Sequence, residues 1–245
     1  MLPKELLCML KKLFMKKISL IIPAYNEESY IWECIRYALQ NNFYEIIVVD
    51  NASTDATAQI ARDMWVSVVH QPIKWLTKAR QAGYKYATWD ICAFVDSDTR
   101  MPVWRSEHIL SLFDRDIVFV SGPYTYYDAS TLQNLWVWIY RKFAYIICTI
   151  VWYMWVWWNF AISRSTLDTL WWFDQTISFY GEDTDIARRA HSVWKTIFDP
   201  KLIMPTSARR FVWQWFVNTA YHYMINFCSQ VLRRKPHTSE YQDFR

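Results

Sequence analysis

Glycine is nearly absent: the 245 residues hold 3 of them, where ordinary usage of roughly 7% would supply about 17. The chain has no Gly-x-Gly-x-x-Gly and no Gly-x-x-x-x-Gly-Lys-Ser/Thr, even with every tryptophan reread as glycine. A dinucleotide-binding or P-loop enzyme is therefore disfavoured. Cys-x-x-Cys spacing is also missing. Cys8, Cys34, Cys92, Cys148 and Cys228 are scattered and odd in number, which fits a reduced cytosolic protein without a structural zinc. The formal net charge of +4 carries no strong nucleic-acid signal, so no nucleic-acid partner is expected. Lys11, Lys12, Lys16 and Lys17 interrupt the early apolar residues, and no secretory signal is evident.

What stands in surplus is tryptophan, with 16 residues. The tryptophan and glycine counts together come close to the ordinary glycine count. Trp89 follows a helical pattern at the site where a helix-ending glycine is common, and Trp157-Trp158 and Trp171-Trp172 are doubled in turn-like contexts. We read these tryptophans as glycine positions, written by a codon that the host translates as glycine. The competing reading is a protein truly rich in tryptophan, which ordinary tryptophan codons at these positions would establish.

The first hundred residues alternate strand and helix signals. Strands are expected at 18–22, 45–49, 66–69 and 91–95, with helices at about 29–41, from Ser53 or Thr54 through Arg62, and at about 77–88. That alternation predicts a single α/β domain with a mostly parallel sheet flanked by helices. Beyond it the pattern predicts strands at 117–121 and 159–163 and helices at 131–155 and 182–193. The uncharged stretches 143–163 and 211–232 exceed the roughly 18 residues of a membrane-span candidate. In the second, Gln214, Asn218, His222, Asn226 and Gln230 recur every four residues and predict an amphipathic helix packed on the domain, with a flat position on an anionic membrane as the second choice.

Three strand ends carry polar chemistry. Pro23-Ala24-Tyr25-Asn26-Glu27-Glu28 follows the first strand, Asp50 ends the second and Asp96-Ser97-Asp98 follows the fourth. Alone, each reads equally well as turn chemistry. Together they converge on one sheet edge, where open α/β sheets bind nucleotides. Asp50 can accept from a base N–H, and a divalent cation on Asp98 can hold a diphosphate. Gly181-Glu182-Asp183-Thr184-Asp185 opens a helix. Its acids suit the helix dipole, and Asp183 can instead be a general base. Asp183 and Asp185 cannot share a site, since residues two apart diverge on a helix. Arg188 and Arg189 read as a solvated ion-pair face.

The ordered blocks IPAYNEE, VVDNASTDAT, KARQAGYKYA, AFVDSDT, NFAISRS, FDQTISFYGEDTDIARR and IFDP resemble the inverting family 2 glycosyltransferases of the GT-A fold, over about Ile18 to Pro200. Trp75, Trp89, Trp157, Trp158, Trp171, Trp172 and Trp194 fall where that family usually has glycine. The resemblance implies a GT-A domain over 15–205, with a nucleotide-binding half at 15–100 and an acceptor and catalytic half at 101–205. A basic extension, 1–14, would precede it, and an amphipathic helix and basic tail, 206–245, would follow. It implies a nucleotide-diphosphate sugar donor, a UDP-sugar by preference, bound by Pro23, Ala24, Glu27 and Asp50, with Arg80 near the base or diphosphate. Asp96 would contact the ribose or the metal, and Asp98 would ligate Mg2+ or Mn2+. Trp158, Asn159 and Phe160 would line the acceptor region, Asp183 would deprotonate the acceptor hydroxyl and Glu182 would orient the acceptor.

The acceptor implied is a saccharide or lipid-linked glycan of the cell envelope, and the location is cytoplasmic, including the inner face of the membrane. Three rivals remain. A polyprenyl-phosphate acceptor would need no base at Asp183. A haloacid-dehalogenase-like phosphatase would want Thr or Val where Arg100 stands. A catalytically impaired nucleotide-binding module becomes the leading reading if the tryptophans are genuine.

Overall fold

The computed structural model describes residues 16–131, 133–135, 137–139, 142, 159–177, 181–209, 225 and 229. Strands β1 (Ile18–Ala24), β2 (Glu45–Asp50), β3 (Ser67–His70) and β4 (Ile91–Phe94) alternate with helices α1 (Ile31–Ala38), α2 (Thr57–Asp63) and α3 (Leu76–Tyr86). Helix α4 (Arg105–Phe113), strands β5 (Phe119–Ser121), β6 (Tyr124–Tyr126) and β7 (Phe160–Ser163), helices α5 (Arg164–Thr169) and α6 (Glu182–His191), and strands β8 (Thr196–Phe198) and β9 (Met204–Thr206) follow. Seven strands form one sheet in the order β3-β2-β1-β4-β7-β5-β8, and β6 and β9 form a separate pair. Only β7 runs against its neighbours in the large sheet, so the sheet is mostly parallel.

Strands β1 and β4 and most of β2 are buried on both faces, as their near-continuous apolar runs require. Successive side chains go to opposite sides. Leu20, Ile22, Val48, Ala93 and Val95 join one apolar cluster, under α1, α2 and α4. Ile21, Ile47, Val49, Cys92 and Phe94 join the other, with Ala79, Leu167 and Ile186 from α3, α5 and α6. Helix α1 buries Ile31, Cys34, Ile35 and Ala38, the spacing of a single helix stripe. Helix α3 lies so close to the sheet that a Cβ on Gly83 would stand 2.4 Å from Ile21 Cγ2. The three-layer α/β architecture is the one read from the sequence.

Local details differ from the expectation. Helix α2 is not capped by Ser53 or Thr54: the Asp55 carboxylate accepts from the Thr57 amide at 3.0 Å, and Ser53 Oγ accepts from the Asn26 amide instead. Arg189 is more than a solvated ion-pair residue. It pairs with Asp185 at 2.8 Å and donates to the carbonyls of Leu170 and Trp172, tying the end of α5 to α6. The uncharged stretch 143–163 ends in β7, inside the sheet, because backbone pairing on both sides outweighs its apolar run. Residues 143–158 of that stretch, and all of 211–232 except Ile225 and Ser229, lie outside the described residues, as do 1–14 and Trp157-Trp158. Among the described residues no helix is long and apolar enough to cross a membrane.

The glycine-like character of the tryptophans is local. Trp65, Trp171 and Trp172 have φ of 60°, 57° and 69°, in the left-handed region that costs an L-residue about 1–2 kcal/mol. Trp75 caps α3 in extended backbone, φ −158°, and Trp89 and Trp194 are absent from the positive-φ residues. Trp89 is not a helix-ending site, since α3 stops at Tyr86 with Ala87 as its cap. It packs on Tyr44, ring centroids 4.3 Å apart. Trp65 and Trp171 are 96% and 85% exposed, so little packing opposes their replacement. Trp65→Gly and Trp171→Gly should each raise stability in urea unfolding by up to about 1 kcal/mol, the strain relieved less the entropy glycine adds to the unfolded chain. Trp172, 40% exposed and donating to Asp168, should gain less.

Candidate active site

The parallel register brings Ala24 level with Asp50 and Ile21 level with Phe94. Because β7 is antiparallel, its first residue, Phe160, lies opposite the last residue of β4. The loops after β1, β2 and β4 and the start of β7 therefore share one edge. Helix α6 precedes β8, which is parallel to β5, so α6 starts at that same edge. It is opened by Gly181 at φ 88°, a turn only glycine makes without strain.

On the donor side, Pro23 and Ala24 are the buried last residues of β1. The Ala24 carbonyl accepts from the Asn51 amide at 2.8 Å, joining the two loops. Asp50 is 4% exposed. Its Oδ1 accepts from the Ser53 amide at 3.0 Å, and its Oδ2 lies 2.9 Å from His70 Nδ1. Glu27 is 2% exposed. Its amide donates to Thr57 Oγ1, and both of its carboxylate oxygens accept from Arg209 Nη2, at 2.6 and 2.7 Å.

Asp98 Oδ1 accepts from Thr206 Oγ1 at 2.9 Å, and its Oδ2 stands 3.1 Å from Arg209 Nη2. The Asp96 carbonyl accepts from Thr99 Oγ1 at 2.8 Å, closing the tight turn that presents both acids. Cys34 lies beneath this turn, with its Sγ 3.6 Å from the Asp96 carbonyl. Burial pushes its thiol up to about 12, and the side chain packs in the core.

Glu182 and Asp183 are 2% and 6% exposed. Glu182 Oε1 accepts from Arg80 Nη1 at 2.8 Å, and both side chains are 1% exposed. Arg80 is thus bound to Glu182, on the face of Phe160, 5.4 Å from the ring centroid. Asp183 Oδ1 accepts from the Thr184 amide at 2.7 Å. Burial holds both carboxyls above the ordinary carboxylate range, against the pull of the Arg80 charge. Asp185 turns away and pairs with Arg188 and Arg189, as helix geometry requires.

Asn159 and Phe160 stand at the right edge, but their side chains point into the fold. Asn159 Oδ1 accepts from buried Arg105 and its Nδ2 donates to the Leu202 carbonyl at 3.2 Å. Phe160 stacks between Phe94 and Phe119. Trp158 lies outside the described residues.

Arg209, Thr206 and His70 are site residues that the sequence did not single out. Nothing in the neighbourhood of Arg209 along the chain indicates Glu27, 182 residues away. No cluster of three or more His, Cys, Asp or Glu side chains among the described residues could hold a metal alone. The donor set still suits Mg2+ or Mn2+, which are commonly held by one or two carboxylates completed by substrate phosphates. Asp98 is buried and presents hard oxygen at the strand edge.

Comparison with known proteins identifies the family and the fold. The family described as Glycosyl transferase family 2 matches residues 19–180. Glycosyltransferase EpsJ of Bacillus subtilis is 38% identical over 88 residues, 33% of this chain and 26% of EpsJ. Glycosyltransferase GlyG of Streptococcus pneumoniae is 32% identical over 125 residues, 46% of this chain and 40% of GlyG. The match thus spans well under half of each relative's length. Among solved structures, the mannosyltransferase PcManGT from Pyrobaculum calidifontis, in complex with GDP-Man and Mn2+, superposes with a TM-score of 0.70 at 19% identity, covering 90% of this chain and 65% of that one. Glucosyl-3-phosphoglycerate synthase from Mycobacterium tuberculosis, with Mn2+, UDP and glucosyl-3-phosphoglycerate, gives 0.62 at 18% identity, covering 90% and 80%. These neighbours share the GT-A fold. The chain belongs to glycosyltransferase family 2.

Proposed function

We propose that the protein is a divalent-metal-dependent, inverting glycosyltransferase that moves a hexose from a nucleotide-diphosphate sugar, a UDP-sugar by preference, to the hydroxyl of a saccharide or lipid-linked acceptor. The observation that carries this reading is the buried acid pair at the start of α6, Glu182 held by Arg80 and Asp183 with a raised carboxyl pKa, on the sheet edge that also presents Asp50 and Asp98. The Mn2+ and nucleotides bound to the structural neighbours support the donor class.

In this reading the end of β1, Glu27 and Asp50 seat the nucleoside. Asp98, with Asp96, would hold Mg2+ or Mn2+, which when bound supplies positive charge to the departing diphosphate. The Asp183 carboxylate takes the proton of the acceptor hydroxyl. The oxygen attacks the anomeric carbon from the face opposite the leaving group, the bond to the diphosphate oxygen breaks with its electron pair, and the configuration inverts. Glu182, fixed by Arg80, orients the acceptor. A cytoplasmic location at the inner membrane face belongs to this reading and rests on the cysteine usage and basic flanks.

Thermal melting with candidate nucleotide-sugars, with and without Mn2+, tests the donor class. A UDP-linked stabilisation that grows with Mn2+ is expected, and no shift with any donor overturns the reading. Asp50→Ala should abolish the preference for uridine over other bases in the same assay. Asp183→Asn should lower kcat by about 10²–10⁴-fold while the UDP shift persists. Activity of this variant on a polyprenyl phosphate would point instead to the lipid-phosphate acceptor. General-base action needs the Asp183 carboxylate ionised. Because burial raises its pKa, the acid limb of kcat against pH should lie above the ordinary aspartate value of about 3.9, and should disappear from the residual rate of Asp183→Asn.

A further inference from the structure

The donor-site reading does not use Arg209, although it is bound to two of that site's carboxylates. It follows β9 by three residues, and its Nη2 meets Glu27 Oε1 at 2.6 Å and Oε2 at 2.7 Å and Asp98 Oδ2 at 3.1 Å. Its guanidinium lies over the Tyr30 ring, 4.3 Å from the centroid. Glu27 and Asp98 are almost fully buried, and the arginine side chain is 18% exposed. Two carboxylates converging on one buried point repel each other unless a cation lies between them. Arg209 is that cation. Thr206, in the same segment, donates to the other oxygen of Asp98, so residues 206–209 engage both oxygens of the expected metal-binding carboxylate.

Building on the reading of Asp98 as a donor-site ligand, we propose that Arg209 is the resident cation of the donor site. It neutralises Glu27 and Asp98 while no donor is bound, and releases Asp98 when a metal-diphosphate enters. A divalent ion alone meets a guanidinium already seated at Asp98, and like charges at that distance disfavour its binding. A diphosphate brings the negative charge that lets both cations stay. Released from Asp98, Arg209 remains on Glu27 beside the incoming diphosphate, whose oxygens a guanidinium suits. Metal and nucleotide affinities are therefore linked through this side chain.

The test compares the full chain with Arg209→Gln by Mn2+ electron paramagnetic resonance without nucleotide, and by UDP titration at saturating Mn2+. The expected signature is opposed: Mn2+ alone binds at least about tenfold tighter to Arg209→Gln, whereas UDP binds more weakly. A purely structural arginine would weaken both. Arg209→Lys keeps the charge but cannot fork, and covers a failure of the glutamine variant to fold. Its Mn2+ affinity should rise by less, with UDP again weakened. Mn2+ affinity unchanged or lowered in the folded variants overturns the role of Arg209 while leaving the donor site standing. Failure of the wild-type chain to bind either UDP or Mn2+ overturns the donor site and this inference together.

A separate observation carries a second inference. Of the six non-glycine residues with positive φ among the described residues, three are tryptophans, Trp65, Trp171 and Trp172. Large side chains are rare there, and two of the three are almost wholly exposed. We infer that the protein as its host makes it carries glycine at 65, 171 and 172. Peptide mass spectrometry of protein purified from the source organism decides it. Glycine in these three peptides is the expected result, and tryptophan overturns it.

Discussion

The ion pair between Arg80 and Glu182 is the constraint on which the site depends. It joins α3, in the nucleotide-binding half, to α6, 102 residues later. Both side chains are 1% exposed, so neither charge can turn to water. Removing one partner of such a pair leaves an uncompensated buried charge, at a cost of about 3–5 kcal/mol. The neighbouring bonds run the same way: Trp75 Nε1 and Thr77 Oγ1, from the start of α3, both donate to the Ile177 carbonyl ahead of α6. The acids that open α6 are thereby fixed over the ends of the central strands.

That position explains how five buried acids coexist on one sheet edge. Glu27 and Asp98 share Arg209. Asp50 has His70 and the Ser53 amide. Glu182 has Arg80. Asp183 is met by the Thr184 amide and hydroxyl, neutral donors that support a carboxylate less than a contacting cation does. It is the one of the five held by no contacting cation among the described residues, which suits it to meet an acceptor hydroxyl.

The layered fold was legible because its strands are short, apolar and bounded by turn residues, and its first helices keep one stripe. Helix α1 buries Ile31, Cys34, Ile35 and Ala38 at a spacing visible in the sequence. Caps were less legible. Ala56 stands at the cap of α2 without a side-chain bond, and the Asp55 carboxylate takes the Thr57 amide, since several polar residues in one turn compete for the same amides. The acidic positions could be ordered along the chain, but their partners could not be named. Asn159 was legible as a residue at the site edge, and its amide oxygen in fact accepts from buried Arg105.

Composition, alternation and the spacing of Asp50, Asp96, Asp98 and Asp183 by themselves determined an α/β sheet with acidic strand ends and a helix opening on acids. These are local properties, set by backbone period and residue type. The tertiary structure decided which cation meets which acid: Arg80 with Glu182, Arg209 with Glu27 and Asp98. It also decided which tryptophans occupy left-handed backbone. Ion pairs between residues a hundred or more positions apart are selected by how the layers pack, because burial leaves each charge only the partners that the fold brings to it.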